Sequence, residues 1–429
     1  MGGKAILFLV IGFSTLFLIM EKNIGTASGR AVDNMTNYYE NMNAHNIAVS
    51  GANVGANQIF LDHSWTAGFS NVPFADGKYT VTVDILNTFK NIRRLTSVGY
   101  YDGYSDTVRV TFQPSSFSKF AYYSTSEGGN IYWVTGDTVW GPMHTQDKLL
   151  ITGDPVFNGK VTSKKGIVEK GFSNPQFNAG YQSGVDMPIP GNGTANLKNM
   201  ADNGGADFSG HDTVYLAFAG DSIKYKYSYG SNYTSALGSA LAPNGAIFAS
   251  GAVLRLQGTV KGQYSVGASQ ETKTVTTTTT NKNGKTKTKT TTQTIGGDIY
   301  LDGDVVYNTD PVSNPSSTDL LGIVAQNNVL ITDNLANTSG IKIQAAIYAE
   351  TGGFGAENYA KRPVSGTIDI RGGITQNTRL PVGTFKNSGK LNYIVSGFQK
   401  DYRYDDRLML ASPPGFPNTG LFEIVSWYE

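Results

Sequence analysis

An unbroken apolar segment opens the chain and continues into a much longer helical pattern. Ala5 to Met20 (AILFLVIGFSTLFLIM) carries no charged side chain, and no proline interrupts residues 1–62. Beyond the apolar run, residues that are mostly small or apolar recur every three or four positions, as on one face of a helix: Ala31, Met35, Tyr38, Met42, His45, Ala48, Ala52, Ala56 and Ile59. Such a helix would be roughly 90 Å long at about 1.5 Å per residue. It must therefore lie against neighbouring copies, or against a bilayer at one end.

The apolar run is slightly shorter than the ~20 residues that comfortably span a bilayer, and we expect it to span one. The alternative is a secretory signal cleaved near residues 26–29 (TASG). Because residues 23–29 (NIGTASG) are poor helix formers, we also expect the helix to loosen there.

Two pairs of glycines have the small-xxx-small spacing that lets helix backbones approach closely. They are Gly25 with Gly29 and Gly51 with Gly55. The alternative is that these glycines only permit bending.

This N-terminus resembles that of type IV pilin-like proteins, especially minor pilins with a PilX-type N-terminus. The resemblance rests on Gly2-Gly3-Lys4 before the apolar run, on the run itself, and on the long helix that ends near Phe60. It implies cleavage by a prepilin peptidase after a glycine, and packing of the apolar half-helix in a filament core. The implied assembly residues are Ala5, Phe8, Phe13, Phe17, Gly25, Gly29, Met35, Tyr38 and Met42.

Two departures from the family pattern bear on the role of the chain. A cut after Gly3 would make Phe8 the fifth mature residue, where major pilins carry a glutamate, and the basic leader is almost absent. We therefore expect either a numbering that begins inside a longer precursor or atypical processing. Loss of that glutamate is a trait of tip subunits in this family, so a major-subunit role is in question.

The remaining chain has the composition of an extended β protein. It has 429 residues, enough for two or three domains, with 51 glycines and 24 tyrosines. No cysteine is present, so the sequence offers neither a disulfide framework nor a cysteine metal site. A net charge of +1 gives no field that would attract nucleic acid, and we expect no nucleic-acid partner.

Segments of alternating polarity follow the helix. Residues 79–85 (YTVTVDI) and 107–112 (TVRVTF) alternate with period two, with 98–101 (VGYY) between them. Residues 101–104 (YDGY) mark a turn. The sequence thus predicts a small antiparallel β-sheet within residues 63–135, packed on the helix of residues 1–62.

From residue 136 to residue 429 the sequence predicts a parallel β-helix, with a jelly roll or sandwich as the alternative. Short strands there are bounded by Gly, Asn and Asp, and Ile299, Ile323, Ile347 and Ile370 recur at a nearly constant period. We expect Ile347 to point inward, stacked between Ile323 and Ile370. Residues 140–149, 153–159, 402–408 and 413–417 resemble an uncharacterised bacterial surface-protein family that joins a pilin-like helix to a β-helix. The fold class is accordingly mainly β.

A Thr- and Lys-rich segment, residues 272–294, predicts a protruding hairpin inserted in that domain. Asn283-Gly284 suits a two-residue type I′ turn that would pair Thr280 with Lys287 and Thr278 with Lys289. A flexible low-complexity loop is the alternative. As an arm that orders on a neighbouring subunit or ligand, it would act through Lys282, Asn283, Gly284, Lys285, Lys287 and Lys289.

Catalytic chemistry finds little support. Asp298, Asp302, Asp304 and Asp310 are expected to bond their own backbone in turns, and Asp405-Asp406-Arg407 to form a local ion pair. His45, His63, His144 and His211 lack the spacing of zinc ligands. We therefore expect no enzyme, no cofactor and no metal.

The sequence favours a structural subunit of a type IV pilus-like filament or cell-surface assembly. Its expected partners are copies of itself or other pilin-like subunits, with the inner membrane holding the precursor before export to the cell surface. One alternative is a membrane-tethered adhesin that binds a surface polysaccharide through Tyr225, Tyr227 and Tyr229. A polysaccharide-active β-helix enzyme is the third hypothesis.

Overall fold

The structure is a computed structural model that describes residues 2–87, 91–189, 193–280, 286–388 and 391–429. Within these residues the helices are α1 (Gly2–Leu61), α2 (Ala195–Asp202) and α3 (Gly238–Leu241), with 3₁₀ turns at Phe117–Lys119, Leu335–Asn337 and Asp406–Met409. The strands, in chain order, are β1 (Phe69–Phe74), β2 (Gly77–Asn87), β3 (Ile92–Tyr101), β4 (Tyr104–Ser116), β5 (Tyr122–Ser126), β6 (Trp133–Val134), β7 (Thr138–Trp140), β8 (Met143–Thr145), β9 (Leu149–Gly153), β10 (Val156–Phe157), β11 (Val161–Ser163), β12 (Ile167–Ser173), β13 (Gln176–Phe177), β14 (Tyr181–Ser183), β15 (Ala206–Asp207), β16 (Thr213–Gly220), β17 (Ser222–Lys226), β18 (Thr234–Leu237), β19 (Ala246–Ser250), β20 (Val253–Val260), β21 (Gln263–Thr280), β22 (Thr286–Gly296), β23 (Ile299–Tyr307), β24 (Leu320–Ala325), β25 (Val329–Ile331), β26 (Ile341–Ala349), β27 (Phe354–Ala356), β28 (Val364–Thr378), β29 (Gly383–Ser388), β30 (Leu391–Tyr404) and β31 (Asn418–Tyr428).

The fold is mainly β, with a long N-terminal helix, and the chain divides into two compact units. One unit contains Met1–Pro114 together with Leu421–Glu429, and the other contains Ser115–Gly420. The C-terminal strand therefore belongs with the helix, whereas the division expected from sequence grouped residues 136–429 together.

Helix α1 is continuous and has two different halves. It runs without a break through residues 23–29, so the expected loosening there is not observed. Residues 3–39 are exposed on every side. Further along, one face is buried at Ala44, Ile47, Ala48, Ala52, Ala56 and Ile59. The predicted helical stripe is thus buried within its own unit only in its C-terminal half.

Small residues let the second half of α1 lie very close to strand β3. A Cβ atom placed on Gly99 would stand 2.2 Å from the carbonyl oxygen of Ala44 and 2.4 Å from the nitrogen of Ala48. On the helix side, a Cβ on Gly51 would stand 2.5 Å from Ser97 Oγ, and one on Gly55 would stand 2.5 Å from Leu95 Cδ1. The close approach that the Gly51 and Gly55 spacing indicated is made to the chain's own sheet.

The sheet under the helix confirms the predicted antiparallel strands. Its strand order is β1-β2-β3-β4-β31, and β1 to β4 pair antiparallel. The β3–β4 hairpin closes at Tyr101 and Tyr104, with positive φ at Asp102 and Gly103, as a type I′ turn requires. Alternate residues of this sheet meet the helix, and Phe422 of β31 joins the same core.

The second unit is built largely from parallel strands paired in ladders. In one ladder the order is β15-β19-β21-β24-β26-β28-β5-β8-β11-β14. Directly paired, buried side chains run along it: Ile247, Val266, Ile323, Ile347, Ile374, Tyr122, Met143 and Val161. A second ladder pairs Val305 with Ile343, Ile343 with Ile370, Ile370 with Tyr402, and Tyr402 with Val139.

The predicted isoleucine row is correct at one step only. Ile347 pairs with Ile323 on one side, but with Ile374 on the other. Ile370 instead pairs with Ile343 and Tyr402, and Ile299 pairs with Leu254 and Val329. The reason is that stacked partners are not evenly spaced in sequence: 24 residues separate Ile323 from Ile347, but 27 separate Ile347 from Ile374. Ile299 lies in a different run of paired strands. All four isoleucines are nevertheless buried.

The Thr- and Lys-rich hairpin is present, with a pairing one residue away from the predicted one. Strands β21 and β22 pair antiparallel, Thr280 with Thr286, Thr279 with Lys287 and Thr277 with Lys289. The predicted turn residues, 281–285, lie outside the described residues. Pairs alternate between the faces of a ribbon. Within the described part of residues 272–294, one face therefore carries only threonines, and nine of them are shown to be exposed: Thr272, Thr274, Thr276, Thr278, Thr286, Thr288, Thr290, Thr292 and Thr294.

The close contact between α1 and β3 at Gly99 predicts that two Gly→Ala substitutions differ in their effect on stability. Gly99→Ala would drive a Cβ into backbone atoms and is expected to lower the free energy of unfolding by about 1–3 kcal/mol. Gly25→Ala meets nothing within 4 Å, so it is expected to leave stability unchanged or raise it by up to about 1 kcal/mol. Urea unfolding followed by tryptophan fluorescence measures both. Equal midpoints for the two variants would contradict the close contact.

The burial of Ile347 in the first ladder predicts that two substitutions by aspartate differ in their effect on stability. Ile347 is 1% exposed, whereas Leu335 is 91% exposed. Ile347→Asp places a carboxylate among apolar side chains and is expected to cost several kcal/mol even if the group becomes protonated. Leu335→Asp is expected to change stability by no more than about 0.5 kcal/mol. Thermal unfolding compares them, and an unchanged melting temperature for Ile347→Asp would rule out the observed register.

Candidate functional site

The largest uncovered feature of the first unit is the N-terminal half of α1. Its apolar side chains are exposed around the whole circumference, including Phe8, Phe13, Phe17, Met35 and Tyr38. By length and composition, α1 is apolar enough to cross a membrane. Residues 5–20 are apolar all round, and such a helix is stable only when lipid or protein covers it. The exposed half of α1 is therefore the candidate assembly site.

The predicted assembly residues all lie on this surface. Ala5 is exposed and Met42 is 40% exposed, at the point where the helix begins to approach the sheet. Gly25 and Gly29 have no atom within 4 Å of a built Cβ. No part of the described chain therefore packs against these two glycines. That contrasts with Gly51 and Gly55, which are already in contact with β2 and β3.

Where the helix meets the sheet, polar contacts fix the junction. Tyr104 donates its hydroxyl hydrogen to Asn37 Oδ1 over 2.7 Å, and the rings of Tyr39 and Tyr101 meet edge to face at 6.3 Å. His45 Nδ1 lies 2.9 Å from Asp106 Oδ2. His45 was predicted only as a packed stripe residue, and its acidic partner comes from β4.

The predicted assembly arm is partly described. Lys289 is exposed, and Lys287 is paired with Thr279 by backbone position. Lys282, Asn283, Gly284 and Lys285 lie outside the described residues. Both described lysine positions belong to the face opposite the threonine face, because their partners Thr277 and Thr279 alternate with Thr276 and Thr278.

The aspartates that were weighed as catalytic are held in structural contacts. Asp302 forms a two-pronged ion pair with Arg255, whose Nη2 lies 2.6 Å from Oδ1. Asp304 accepts from the backbone of Lys342. The turn expectation was therefore wrong for these two, which lie inside strand β23 and link to neighbouring strands. It was correct for Asp310, which accepts from the nitrogen of Val312 two residues on.

The expected ion pair near the C-terminus is confirmed. Arg407 binds Asp405 through Nη2 at 2.6 Å and Nε at 2.9 Å. The same guanidinium donates to the carbonyl oxygens of Ser317 and Asp319. This arrangement ties the 3₁₀ turn at Asp406–Met409 to a distant loop.

Histidines do not converge on a metal site. Across the described ranges, no group of three or more His, Cys, Asp or Glu side chains could hold an ion. His144 is buried and its Nδ1 lies 2.8 Å from Thr162 Oγ1. Burial lowers the pKa of His144 to about 4, against a smaller opposing effect of Gln146.

The tyrosines proposed for a polysaccharide ledge have different environments. Tyr225 packs on Phe208, with ring centroids 5.0 Å apart, and Tyr227 stacks on His211 at 3.5 Å. Tyr229 is 85% exposed, next to the ammonium group of Lys226. The three residues are thus not one flat row of exposed rings.

A cavity of about 440 Å³ in the second unit was not anticipated from the sequence. Its lining includes the charged residues Asp137, Arg379 and Lys400. The aromatic and aliphatic residues of the lining include Tyr122, Tyr132, Leu380, Phe385, Ile394, Phe398 and Tyr402. Lys400 Nζ lies 2.5 Å from Asp137 Oδ2. Arg379 Nη1 lies 2.8 Å from Glu127 Oε2.

These two ion pairs are buried around one indole ring. The side chains of Arg379 and Glu127 are 5% and 1% exposed. The Arg379 guanidinium lies 4.1 Å and the Lys400 ammonium 5.2 Å from the centre of Trp133. Burial lowers the pKa of Lys400, with Asp137 opposing that shift. Removing one member of such a pair typically costs about 3–5 kcal/mol, because the other charge is left buried.

No single sequence motif marks this cavity. Its charged residues come from positions as far apart as Asp137 and Lys400. They meet because β30 pairs with β7 in parallel, with Asp401 beside Thr138. A pairing of strands so distant in sequence leaves no local signal. The one available hint was the placement of charged residues between apolar ones in residues 398–402 (FQKDY).

No protein-family model matches the chain, and no curated protein sequence matches it. Among solved structures it is similar to the crystal structure of the competence-associated pilin ComZ from Thermus thermophilus. The two share 11% sequence identity and a TM-score of 0.34, with 91% of this chain and 97% of that chain covered. Because this TM-score is low, the likeness by itself carries no conclusion about fold or function.

The buried state of His144 predicts a pH dependence. Its pKa in the folded chain is about 4, below the usual value near 6.5 for the unfolded chain. Between these values the unfolded state binds the additional proton, so this contribution to stability is complete above about pH 6.5 and decreases as the pH falls towards 4. We expect His144→Gln to reduce the fall in melting temperature between pH 7 and pH 4.5. An unchanged slope would contradict burial of the neutral ring.

Proposed function

We propose that this protein is a structural subunit of a pilus-like extracellular filament or cell-surface assembly, and that it polymerises through the N-terminal half of α1. The observation that carries the proposal is the continuous helix whose residues 3–39 are exposed on every side. The same helix buries its second half against a sheet of its own unit. One half is thus fixed to a folded body, and the other half is available to neighbours.

The apolar side chains in the free half of α1 would be covered by lipid before assembly and by other helices after it. Before assembly, a bilayer would cover residues 5–20, which fits an inner-membrane-anchored precursor. After assembly, helices of other copies or of other pilin-like subunits would replace the lipid. The unfilled space beside Gly25 and Gly29 would allow helices to approach closely there.

We further propose that the second unit is a parallel β-helix that forms the exposed head of the subunit. The in-register parallel pairing of Ile323 with Ile347 and of Ile347 with Ile374 supports this architecture. So does the buried row that continues through Tyr122 and Met143. A stack of this kind buries its own apolar surface, so it does not need a partner for stability.

The β21–β22 hairpin is proposed as a second contact with a neighbouring subunit. It is long, and both of its faces are polar, so an isolated ribbon of this composition gains little from its own packing. Lys287 and Lys289 lie on one face by their backbone pairing. Because both side chains are cationic, we propose that they bind acidic groups of a neighbouring subunit.

The helix proposal predicts opposite results for two adjacent substitutions. Met35→Lys places a charge on the apolar stripe, whereas Thr36→Lys places the same charge on the face that carries Asp33 and Glu40. Met35 is 76% exposed and Thr36 is also exposed, so neither change should alter the melting temperature. We expect Met35→Lys to reduce sheared filament yield at least tenfold and Thr36→Lys to leave it unchanged. Normal yield from Met35→Lys would refute packing through this stripe.

The arm proposal predicts a salt-dependent effect. Exposed ion pairs contribute about 0.2–1 kcal/mol each, so Lys287→Gln with Lys289→Gln should weaken subunit association roughly fivefold at low salt. Because salt screens exposed charges, the difference from the unchanged chain should disappear near 1 M salt. Thr286→Gln with Thr288→Gln, on the other face, is the matched control. Quantitative electron microscopy of filament length measures the effect, and equal lengths at low salt would exclude a role of the lysines.

A further inference from the structure

The cavity in the second unit has a graded lining. At its inner end Tyr122, Ile374, Gln376 and Phe398 are each about 1% exposed. Towards its outer end the lining includes half-buried Ile131, Tyr132, Phe385 and Ile394, and exposed Asn130. The gradient indicates a pocket that opens to solvent on one side. A volume of about 440 Å³ is within the range of small-molecule sites.

Lys400 has unused hydrogen-bonding capacity at the inner end. An ammonium group carries three donors, and among the described residues its one recorded acceptor is Asp137 Oδ2. Its side chain is only 12% exposed. Donors buried in this way cost free energy unless water or a ligand accepts from them. An acceptor placed in the cavity beside Lys400 would remove that cost.

Arg379, by contrast, already donates hydrogen bonds to several groups of the protein. Its Nη1 donates to Glu127 and to the carbonyl oxygen of Ile131, and its Nη2 donates to that of Tyr132. Glu127 itself does not line the cavity, whereas Arg379, Lys400 and Asp137 do. The charged groups around the cavity therefore form two ion pairs, and the spare donors belong to Lys400. A monocarboxylate can accept from these donors, while a doubly charged phosphate would place more negative charge beside Asp137.

The apolar walls of the cavity indicate the chemical character of the rest of the ligand. Tyr132, Leu380, Phe385 and Ile394 offer aromatic and branched aliphatic surface, and Pro381 and Val382 continue it. Apolar walls of this kind favour a ligand body that can be removed from water. The cavity thus combines an apolar part with a polar part in which Lys400 has donors to spare.

We propose that this cavity is a ligand-binding site for a small organic monocarboxylate with an aromatic or branched aliphatic body. The carboxylate accepts hydrogen bonds from Lys400, and the body lies against Phe385, Ile394 and Leu380. The cavity is lined by residues of the second unit, whereas the proposed assembly surface belongs to α1 in the first unit.

The test uses the full chain in nanodiscs of zwitterionic lipid, with empty nanodiscs as the blank. Ligand-detected NMR titrations compare 3-phenylpropionate with its neutral analogue 3-phenylpropanamide and its cationic analogue 3-phenylpropylamine. We expect the carboxylate to bind at least tenfold more tightly than the amide and the amine not to bind. Equal affinity for the carboxylate and the amide, or no binding of the carboxylate, would overturn the proposal.

Two variants identify the groups responsible. Lys400→Met combined with Asp137→Asn removes both charges of the pair, so neither is left alone, and is expected to abolish the preference for the carboxylate. Ile394→Trp fills the outer part of the cavity and is expected to abolish binding of all three probes. The adjacent Tyr393→Trp is the control, because Tyr393 is 53% exposed and does not line the cavity. Undiminished binding to Ile394→Trp would overturn the assignment even if the double variant fails to fold.

Discussion

The removal of helix surface from water is the constraint on which the rest of the structure depends. Sixty residues form one helix, and its own unit can cover only part of it. The covered part is fixed by contacts that allow no larger side chain: Gly99 meets the backbone of Ala44 and Ala48. The uncovered part has no such partner within the chain, and its phenylalanines remain exposed. We infer that lipid or another protein covers this part.

The sheet beneath the helix is in turn closed by the end of the chain. Phe422 enters the core that also contains Ile47, Val81 and Leu95. Arg93 lies over the Phe422 ring at 5.0 Å and donates to the carbonyl oxygen of Trp65. The core beneath α1 therefore needs residues from two stretches of the sequence, 47–112 and 421–429. Truncation of the last nine residues would remove an edge strand as well as a core side chain.

Local patterns predicted local structure well. The proline-free apolar start predicted the helix, alternation predicted β2 and β4, and residues 101–104 predicted the hairpin turn, because each depends on neighbours in sequence. The stacking register was predictable only in part. Ile323 and Ile347 are true neighbours, but β28 pairs with β5, which precedes it by more than 200 residues. Even spacing along the sequence cannot encode a stack whose order is not that of the chain.

The cavity and the strand β31 were missed for the same physical reason. Lys400 and Asp137, or Phe422 and Leu95, meet through tertiary pairing and share no motif. For β31 a signal existed: residues 421–428 (LFEIVSWY) are a compact apolar strand pattern. For the cavity, charges buried beside Trp133 are distinguishable from surface charges only once the fold is known.

We propose that the free half of α1 packs against helices of neighbouring subunits. A photo-crosslinking phenylalanine analogue placed at Phe13, in filaments sheared from cells that produce the protein, shows which molecules lie next to this half. We expect crosslinks from this position to residues 3–39 of a second copy or to the N-terminal helix of another pilin-like subunit. Crosslinks to lipid alone, with none to protein in the sheared fraction, would show that this packing does not occur.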